Sequence, residues 1–444
     1  MTLPAAPTIS TACMLYFPFG TTADMRERLA TRHRWVWIKT AHETLDACGN
    51  RADLAGPAEF SGVAALACDL KGINPRVQVG MYVGGLASPD SHHPHYDWLD
   101  DEDMLHASPT QPLTWSPSQS PAEPQARRLK IINYNRTETR AKLIAHWRTF
   151  LADHDFDGVV FDTFHPGYYA AWMSLAPATP NANGGFGLPN GGVEGAFHTE
   201  AWWFSALSVF VWQLRWALGI DGREVWVNGL YDYPNYSAAN TDHVAIGRGY
   251  TNVAQYASGL LAEYAHTMYK SPADLRGNIE AAQLVNAQNR GTFWLIHPGA
   301  FAYDPSGYTV TDSPDLRRFY LAAFLLMQKP PYTHFGYHPG PMYQAFETVN
   351  GEHVPWLFDG GADWDQDYGV ARTGVNWTGD VAWREYTRGY AIVNASSGYG
   401  YLTLPPATYR NWHPEAGGPV EITAANPGMN VPPKSGLFLF RSAA

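Results

Sequence analysis

The stretch Ile132–Phe164, INYNRTETRAKLIAHWRTFLADHDFDGVVFDTF, reads as a helix, a turn and a strand. Leu143, Ile144, Trp147, Phe150 and Leu151 recur at i, i+1, i+4, i+7 and i+8, the spacing of one buried helix face. Thr137 or Thr139 stands where a side-chain oxygen caps a helix start. Gly158–Asp162 follows as a buried strand. Its alternation puts Gly158, Val160 and Asp162 on one face, Val159 and Phe161 on the other. In a closed barrel one of those faces points at the axis and the other at the surrounding helices.

The same rhythm of short apolar runs and amphipathic segments extends in both directions, as in a parallel sheet with crossover helices. Candidate strands are Cys13–Phe17, Trp35–Ile38, Val77–Val83, Lys130–Ile132, Gly158–Asp162, Val225–Asn228, Gly259–Glu263, Thr292–Ile296 and Tyr332–Phe335. Eight places are available in a barrel, and Lys130–Ile132 is assigned instead to the start of the following helix. The expected fold is therefore α/β, a TIM (β/α)8 barrel over residues 1–366. Long insertions interrupt it near 87–127, which is rich in Pro, Ser, Asp and His, and near 176–198, where Asn181–Gly195 is rich in Gly and Asn. Loops that follow strands open on the C-terminal face of a barrel, where active sites sit. After about Asp367 the texture changes to short strand-like segments: Ala382–Tyr386, Tyr390–Val393, Gly400–Leu404, Val420–Thr423 and Gly436–Phe440. Residues 367–444 are expected to form a small antiparallel β-sandwich.

Composition narrows the function classes. The 444 residues exceed one ordinary core and carry a net charge of −11 without a Lys/Arg run, which argues against nucleic-acid binding. It also ranks neutral glycans above acidic ones. Aromatic residues make up 14% of the chain, with 17 Trp. Such rings pack cores, and they also stack on sugar rings. Cys13, Cys48 and Cys68 leave one over from any pairing and fit no zinc spacing. MTLPAAPTIS lacks a basic start followed by an apolar run, and no stretch reaches the roughly 18 apolar residues of a membrane span. The expectation is a soluble chain without a membrane partner. It is either cytoplasmic, or secreted or phage-borne with a trimmed leader or release by lysis. Nothing in the sequence fixes its oligomeric state.

Two carboxylates stand out. Asp162 ends a buried strand, where desolvation makes an idle carboxylate costly; its other reading is a cap or loop anchor. Glu263 ends SGLLAEYAH. Read as a strand, this run puts Gly259, Leu261 and Glu263 on one face; read as a helix, it leaves Glu263 on the surface. Glycosidic cleavage needs a proton donor for the leaving oxygen and a second carboxylate to attack or to activate water. Candidate substrate-binding residues at or just past other strand ends are Tyr16, Lys39, Tyr82, Asn228, Tyr231 and His297. Packing is the competing role for each.

The segment FDGVVFDTF, behind its amphipathic helix, resembles the DG-plus-three-apolar-plus-D strand of barrel glycoside hydrolases. It is similar in order to the retaining melibiase-type α-galactosidases, the dextranases and related uncharacterised barrel families. The likeness covers Leu129–Phe164 well and the surroundings of Glu263 loosely. The tail YTRGYAIVNASS, closing in VPPKSGLFLF, resembles their C-terminal sandwich. The resemblance implies an Asp nucleophile on strand four, Asp162, and an acid/base on strand six, Glu263, with net retention. Retention in turn requires the two carboxyl groups to lie about 5 Å apart, and a raised Glu263 pKa. The usual Lys-x-Asp or Arg-x-Asp triplet is Val160-Phe161-Asp162 here.

Other classes leave weaker traces. A non-catalytic carbohydrate-binding barrel fits the same aromatic content. A metal-dependent hydrolase would use His92, His93 and His95 with Asp90, Asp97, Asp100 and Asp101, but HHPH matches no helix pair and a third fixed ligand is missing. G-x-S-x-G, HExxH and P-loop patterns do not occur, and GGFG and GGVEG do not follow a strand. No cofactor and no metal are expected.

Overall fold

The computed structural model describes residues 9–15, 23–39, 57–84, 98–104, 106–108, 111–112, 114–115, 129–130, 132–162, 200–228, 256–262, 268–296, 313–337, 347–349, 352–354, 366–411 and 420–441. Eight strands make one parallel sheet in chain order: β1 (Ala12–Leu15), β2 (Trp35–Lys39), β3 (Gln78–Gly84), β4 (Gly158–Asp162), β5 (Glu224–Asn228), β6 (Gly259–Ala262), β7 (Gly291–Ile296) and β8 (Thr333–Tyr337). A parallel bridge between Thr11 and Phe335 brings the two ends of the sheet together, so the barrel is nearly closed. Described helices are α1 (Ala23–Arg32), α2 (Pro57–Ile73), α3 (Thr137–Asp153), α4 (Glu200–Gly219), α5 (Pro272–Ala287) and α6 (Pro314–Met327). The eight strands are those expected. Leu129–Lys130 stays out of the barrel and pairs antiparallel with Thr114–Trp115.

By compactness the chain divides into two units. One comprises Met14–Thr31 and Trp35–Leu261; the other comprises Met1–Cys13, Arg32–Arg34 and Ala262–Ala444.

In the first unit, contacts identify which strand face meets the axis. Trp35 and Trp37 of β2 stack at 4.5 Å, and both touch Trp226 of β5, at 5.8 and 5.4 Å. Two strands lie between β2 and β5 in the sheet, so these rings meet across the barrel interior. Glycines make room for them. Gly80 is the ladder partner of Trp37, and Gly259 that of Trp226. A Cβ at Gly80 would fall 2.0 Å from the Trp37 ring, and one at Gly259 2.5 Å from the Trp226 ring. Large-against-small pairing thus fills the barrel with indole rather than with aliphatic layers. Each ring buries on the order of 200 Å², worth about 5 kcal/mol of transfer free energy. The opposite face carries Phe161, which meets Trp147 of α3 edge-on at 5.5 Å and Phe210 of α4 at 5.7 Å.

Leu143, Trp147 and Leu151 of α3 are buried as the spacing requires, with Ile144 and Phe150 at the margin of that face. Neither threonine caps the helix: Arg136 holds the N-cap position and makes no side-chain capping bond. Thr139 donates its hydroxyl instead to Asp103, at 2.6 Å.

In the second unit, α6 is buried continuously from Phe319 to Met327. A helix apolar all round needs partners on more than one side. It packs on β8, with Phe324 5.0 Å from Phe335, and also on an antiparallel sheet. That sheet runs β9 (Asn376–Thr378), β10 (Val381–Tyr386), β11 (Gly389–Asn394), β16 (Ser435–Arg441), β13 (Ala407–Asn411) and β14 (Val420–Ile422). A two-stranded sheet, β12 (Gly400–Thr403) with β15 (Gly428–Val431), adds Leu402 and Val431 to a core shared with Tyr390, Ile392, Tyr409 and Leu439. Ser313 caps the start of α6 by accepting from the Leu316 amide. Arg384 of β10 closes its end, donating to the carbonyls of Leu326 at 3.0 Å and Gln328 at 2.7 Å. A cation there complements the carbonyl end of the helix dipole. The five strands expected after Asp367 are present. β9, β13 and β15, which the sequence did not single out, read NWT, ATYRN and GMNV, each with polar residues and partly exposed positions.

Candidate functional site

At the C-terminal ends of β2 to β6, ladder register fixes which positions share a level. Lys39 pairs with Tyr82, Tyr82 with Val160, and Gly84 with Asp162. Phe161 pairs with Val227, so position 162 is one step further along, level with Asn228. Asn228 pairs with Leu261. Partners in a parallel ladder share a face. Positions 82, 162 and 228 therefore belong to the face that carries Trp37 and Trp226, the one turned to the axis.

Tyr82 and Asn228 are both buried, at 1% and 5% exposure. The Asn228 Nδ2 donates to the Tyr82 hydroxyl oxygen at 3.1 Å. That bond runs from β3 to β5 across the axis-facing side of β4. Burying a phenol and a carboxamide is unfavourable unless they bond, and here they bond each other.

These two are the sequence-nominated residues whose side chains the structure brings together. Lys39 and Asp162 are placed through their backbone as the last residues of β2 and β4. β6 ends at Ala262; Glu263, the next residue, lies outside the described residues, as do Tyr16, Tyr231 and His297. Of the His/Asp-rich segment, His92, His93, His95, Asp90 and Asp97 also lie outside them. Asp100 is described, and its carboxylate accepts from Lys142 at 2.9 Å. Among the described residues no group of three or more His, Cys, Asp or Glu is arranged to hold a metal ion. No described helix is long and apolar enough to cross a membrane.

No sequence pattern marks the anchor at Asp103. Its carboxylate is fully buried, accepting from Thr139 at 2.6 Å, Lys142 at 2.7 Å and the Asp100 amide at 3.1 Å, with Arg136 3.4 Å away. Burial by itself would raise its pKa. The hydrogen bonds from Lys142, Thr139 and the Asp100 backbone outweigh that and hold it below the usual carboxylate value. With the Met104–Ile132 bridge, this ties the interior of the insertion after β3 to the start of α3. Among the described residues, Trp35, Trp37, Trp147, Trp226 and Trp294 serve as core and are among the largest fully buried side chains. Trp212 and Trp216, on α4, are exposed and border an open groove with Arg215 and Arg223.

No family model matches the chain, and no curated protein matches it. Solved structures do. Amy13B of Eubacterium rectale aligns with a TM-score of 0.54 at 11% identity, covering 99% of this chain and 97% of its own. The noncanonic maltogenic α-amylase AmyB of Thermotoga neapolitana aligns with 0.53 at 11% identity, over 98% and 99%. The α-amylase of Geobacillus thermoleovorans, solved in complex with acarbose, aligns with 0.51 at 12% identity, over 98% and 99%. The likeness is one of fold, barrel and C-terminal sheet together. Two of these three neighbours are named as α-amylases, and none is named as a melibiase or a dextranase.

Proposed function

We propose that the chain is a retaining glycoside hydrolase acting on a poly- or oligosaccharide, with Asp162 as nucleophile and Glu263 as acid/base. The observation that carries this reading is the position of Asp162, the last residue of β4, on the axis-facing side at the C-terminal end of an amylase-like barrel. That end is where barrel enzymes assemble their chemistry. The β6 strand ends at Ala262, one residue before Glu263 in the sequence, which supports the same assignment.

The step follows from the roles. The Asp162 carboxylate attacks the anomeric carbon while Glu263 gives its proton to the leaving oxygen, and a glycosyl ester forms on Asp162. Glu263, now ionised, takes a proton from water, the water oxygen attacks the same carbon, and Asp162 is released. Lys39, Tyr82, Asn228, Tyr16, Tyr231 and His297 are proposed to line or support the sugar subsites. Residues 1–366 are proposed as the catalytic barrel, with 367–444 bracing it.

A screen of wild type and Asp162→Asn tests the reading, on α-glucans first because the structural neighbours are α-amylases, then on other neutral and bacterial-envelope glycans. Products are read by mass spectrometry. Cleavage by the wild type, lost by 10³-fold or more in Asp162→Asn and in Glu263→Gln, is the expected result, on the order of what removing a catalytic group costs. Binding without cleavage across the panel favours the non-catalytic barrel. Cleavage undiminished in Asp162→Asn overturns the assignment.

A further inference from the structure

We propose that the outward face of the two-stranded sheet β12–β15 is a binding site for a neutral glycan chain, with Tyr401 as its stacking platform. The inference does not depend on the role of Asp162.

Alternation along β12 sorts its side chains. Leu402 is fully buried, and a Cβ at Gly400 would fall 2.2 Å from a Val381 methyl, so positions 400 and 402 face the core. Tyr401 and Thr403 therefore point away from it, and both are exposed. Tyr399, just ahead of the strand, continues the alternation and is 75% exposed. On β15, Asn430 pairs with Tyr401 and Gly428 with Thr403, so these two positions share the outward face.

The glycine decides how the tyrosine lies. A Cβ at Gly428 would sit 2.4 Å from the Tyr401 Cζ and 2.5 Å from its hydroxyl oxygen. The phenol thus lies across the backbone of its diagonal neighbour, and Gly428 is buried although it faces outward. One side of the ring covers the sheet. The side chain still keeps 49% of its surface open to solvent. A ring already held in place loses little freedom when a ligand packs on it, and the C–H side of a sugar ring packs well on such a face.

The surroundings select the occupant. Outward positions of the two strands add the Thr403 hydroxyl and the Asn430 carboxamide, and none carries a charge. Neutral donors and acceptors suit sugar hydroxyls and give an anionic polymer no counter-charge. The face is small. Four residues by two strands make roughly 14 by 10 Å, on the order of 150 Å², whereas a stable protein interface takes about 800 Å² from each partner. A short run of sugar rings fits that area.

Affinity electrophoresis of the full-length protein tests this, in native gels cast with soluble starch, laminarin, xyloglucan or galactomannan, and with heparin as the charged control. At least one neutral polymer is expected to retard the wild type. Its dissociation constant should rise about tenfold in Tyr401→Ala and by less in Tyr399→Ala, while Tyr401→Phe, which keeps the ring, stays within about twofold. Because Tyr401 also covers Gly428, urea unfolding checks each variant, and Tyr399→Ala probes the face without touching that cover. Nitration by tetranitromethane, read by peptide mass spectrometry, locates the contact. With the polymer at about ten times its dissociation constant, Tyr401 should nitrate about tenfold more slowly, as its free fraction falls. The buried Tyr390 and Tyr409 serve as internal references. A polymer that retards the chain but leaves Tyr401 nitration unchanged overturns the site, as does a chain that no neutral polymer retards. Protection of Tyr401 by heparin and by none of the neutral polymers overturns the ligand class. A dimer in size-exclusion chromatography that Tyr401→Ala dissolves assigns the face to a second copy of the chain and overturns the proposal.

Discussion

Adding a single methyl group inside the barrel tests which strand face meets the axis. In Gly80→Ala the new Cβ would lie 2.0, 2.3 and 2.9 Å from three Trp37 ring carbons. Carbon atoms rest at about 3.5–4.0 Å, so the ring must retreat by roughly 1.5 Å. It has nowhere to go. Trp35 stacks on it at 4.5 Å with planes 2° apart, and Trp226 closes the other approach at 5.4 Å. Overpacking of this kind costs about 3 kcal/mol, the upper end of the usual range. Trp37→Leu empties the same space and costs a similar amount, about 3 kcal/mol, as a large-to-small change. The two defects are complementary. The double variant should cost about as much as Trp37→Leu alone, a coupling of about 3 kcal/mol, whereas sites without contact add to within about 0.5 kcal/mol. Urea unfolding followed by far-UV circular dichroism reads this as a midpoint shift of about 1 M for each single variant, at a slope of about 3 kcal/mol/M. A Gly80→Ala protein as stable as wild type, or strictly additive variants, would refute the interior packing. The axis-facing placement of position 162 would fall with it, because both rest on the same alternation.

Two further outcomes follow from buried ionisable groups. Asp103→Ala leaves the Thr139 hydroxyl buried without its acceptor and leaves Lys142 only its bond to Asp100, so a loss of about 3 kcal/mol in urea unfolding at pH 7 is expected. Because the Asp103 pKa is lowered in the fold, its contribution is complete above the ordinary carboxylate value of about 4 and fades as pH falls below it; the gap between wild type and Asp103→Ala should narrow only in that acid range. His334 is buried against Ser10, 2.7 Å from its hydroxyl, and burial, aided by the charge of Arg34, lowers its pKa to about 3. An unfolded histidine takes a proton near pH 6.5, so stability is full above that and falls between about 6.5 and 3, by about 2 kcal/mol at pH 5. His334→Gln should flatten that part of the stability–pH curve, and an unchanged slope between pH 6.5 and 5 would contradict a neutral buried imidazole.

Much of the barrel was legible because parallel strands buried on both faces are written as continuous apolar runs. GVVFD, EVWVN and GTFWLI announce themselves that way, and the α3 helix does so through its 3.6-residue spacing. The pairing of Gly80 with Trp37, or of Gly259 with Trp226, was not legible, because it depends on register between separate strands. Asp103 escaped notice for a similar reason. It sits in a Pro- and Asp-rich insertion, and its partners Thr139 and Lys142 are 36 and 39 residues away. Thr139 looked like a helix cap because threonine near a helix start usually is one. A buried carboxylate in need of a donor competed for its hydroxyl and won. At the candidate site, strand-end reasoning picked out Tyr82 and Asn228 one at a time, and only the fold shows them bonded to each other. Arg384 is likewise invisible in sequence as the cap of a helix that ends 57 residues earlier.

The most direct measurement is covalent trapping. Wild-type protein is incubated with a 2-deoxy-2-fluoro glycosyl fluoride of the sugar it cleaves, digested, and sequenced by tandem mass spectrometry. The glycosyl label should sit on Asp162, and Asp162→Asn should take up none. A label on another carboxylate, or substrate cleaved with inversion and no label at all, would contradict Asp162 as the nucleophile of a retaining hydrolase.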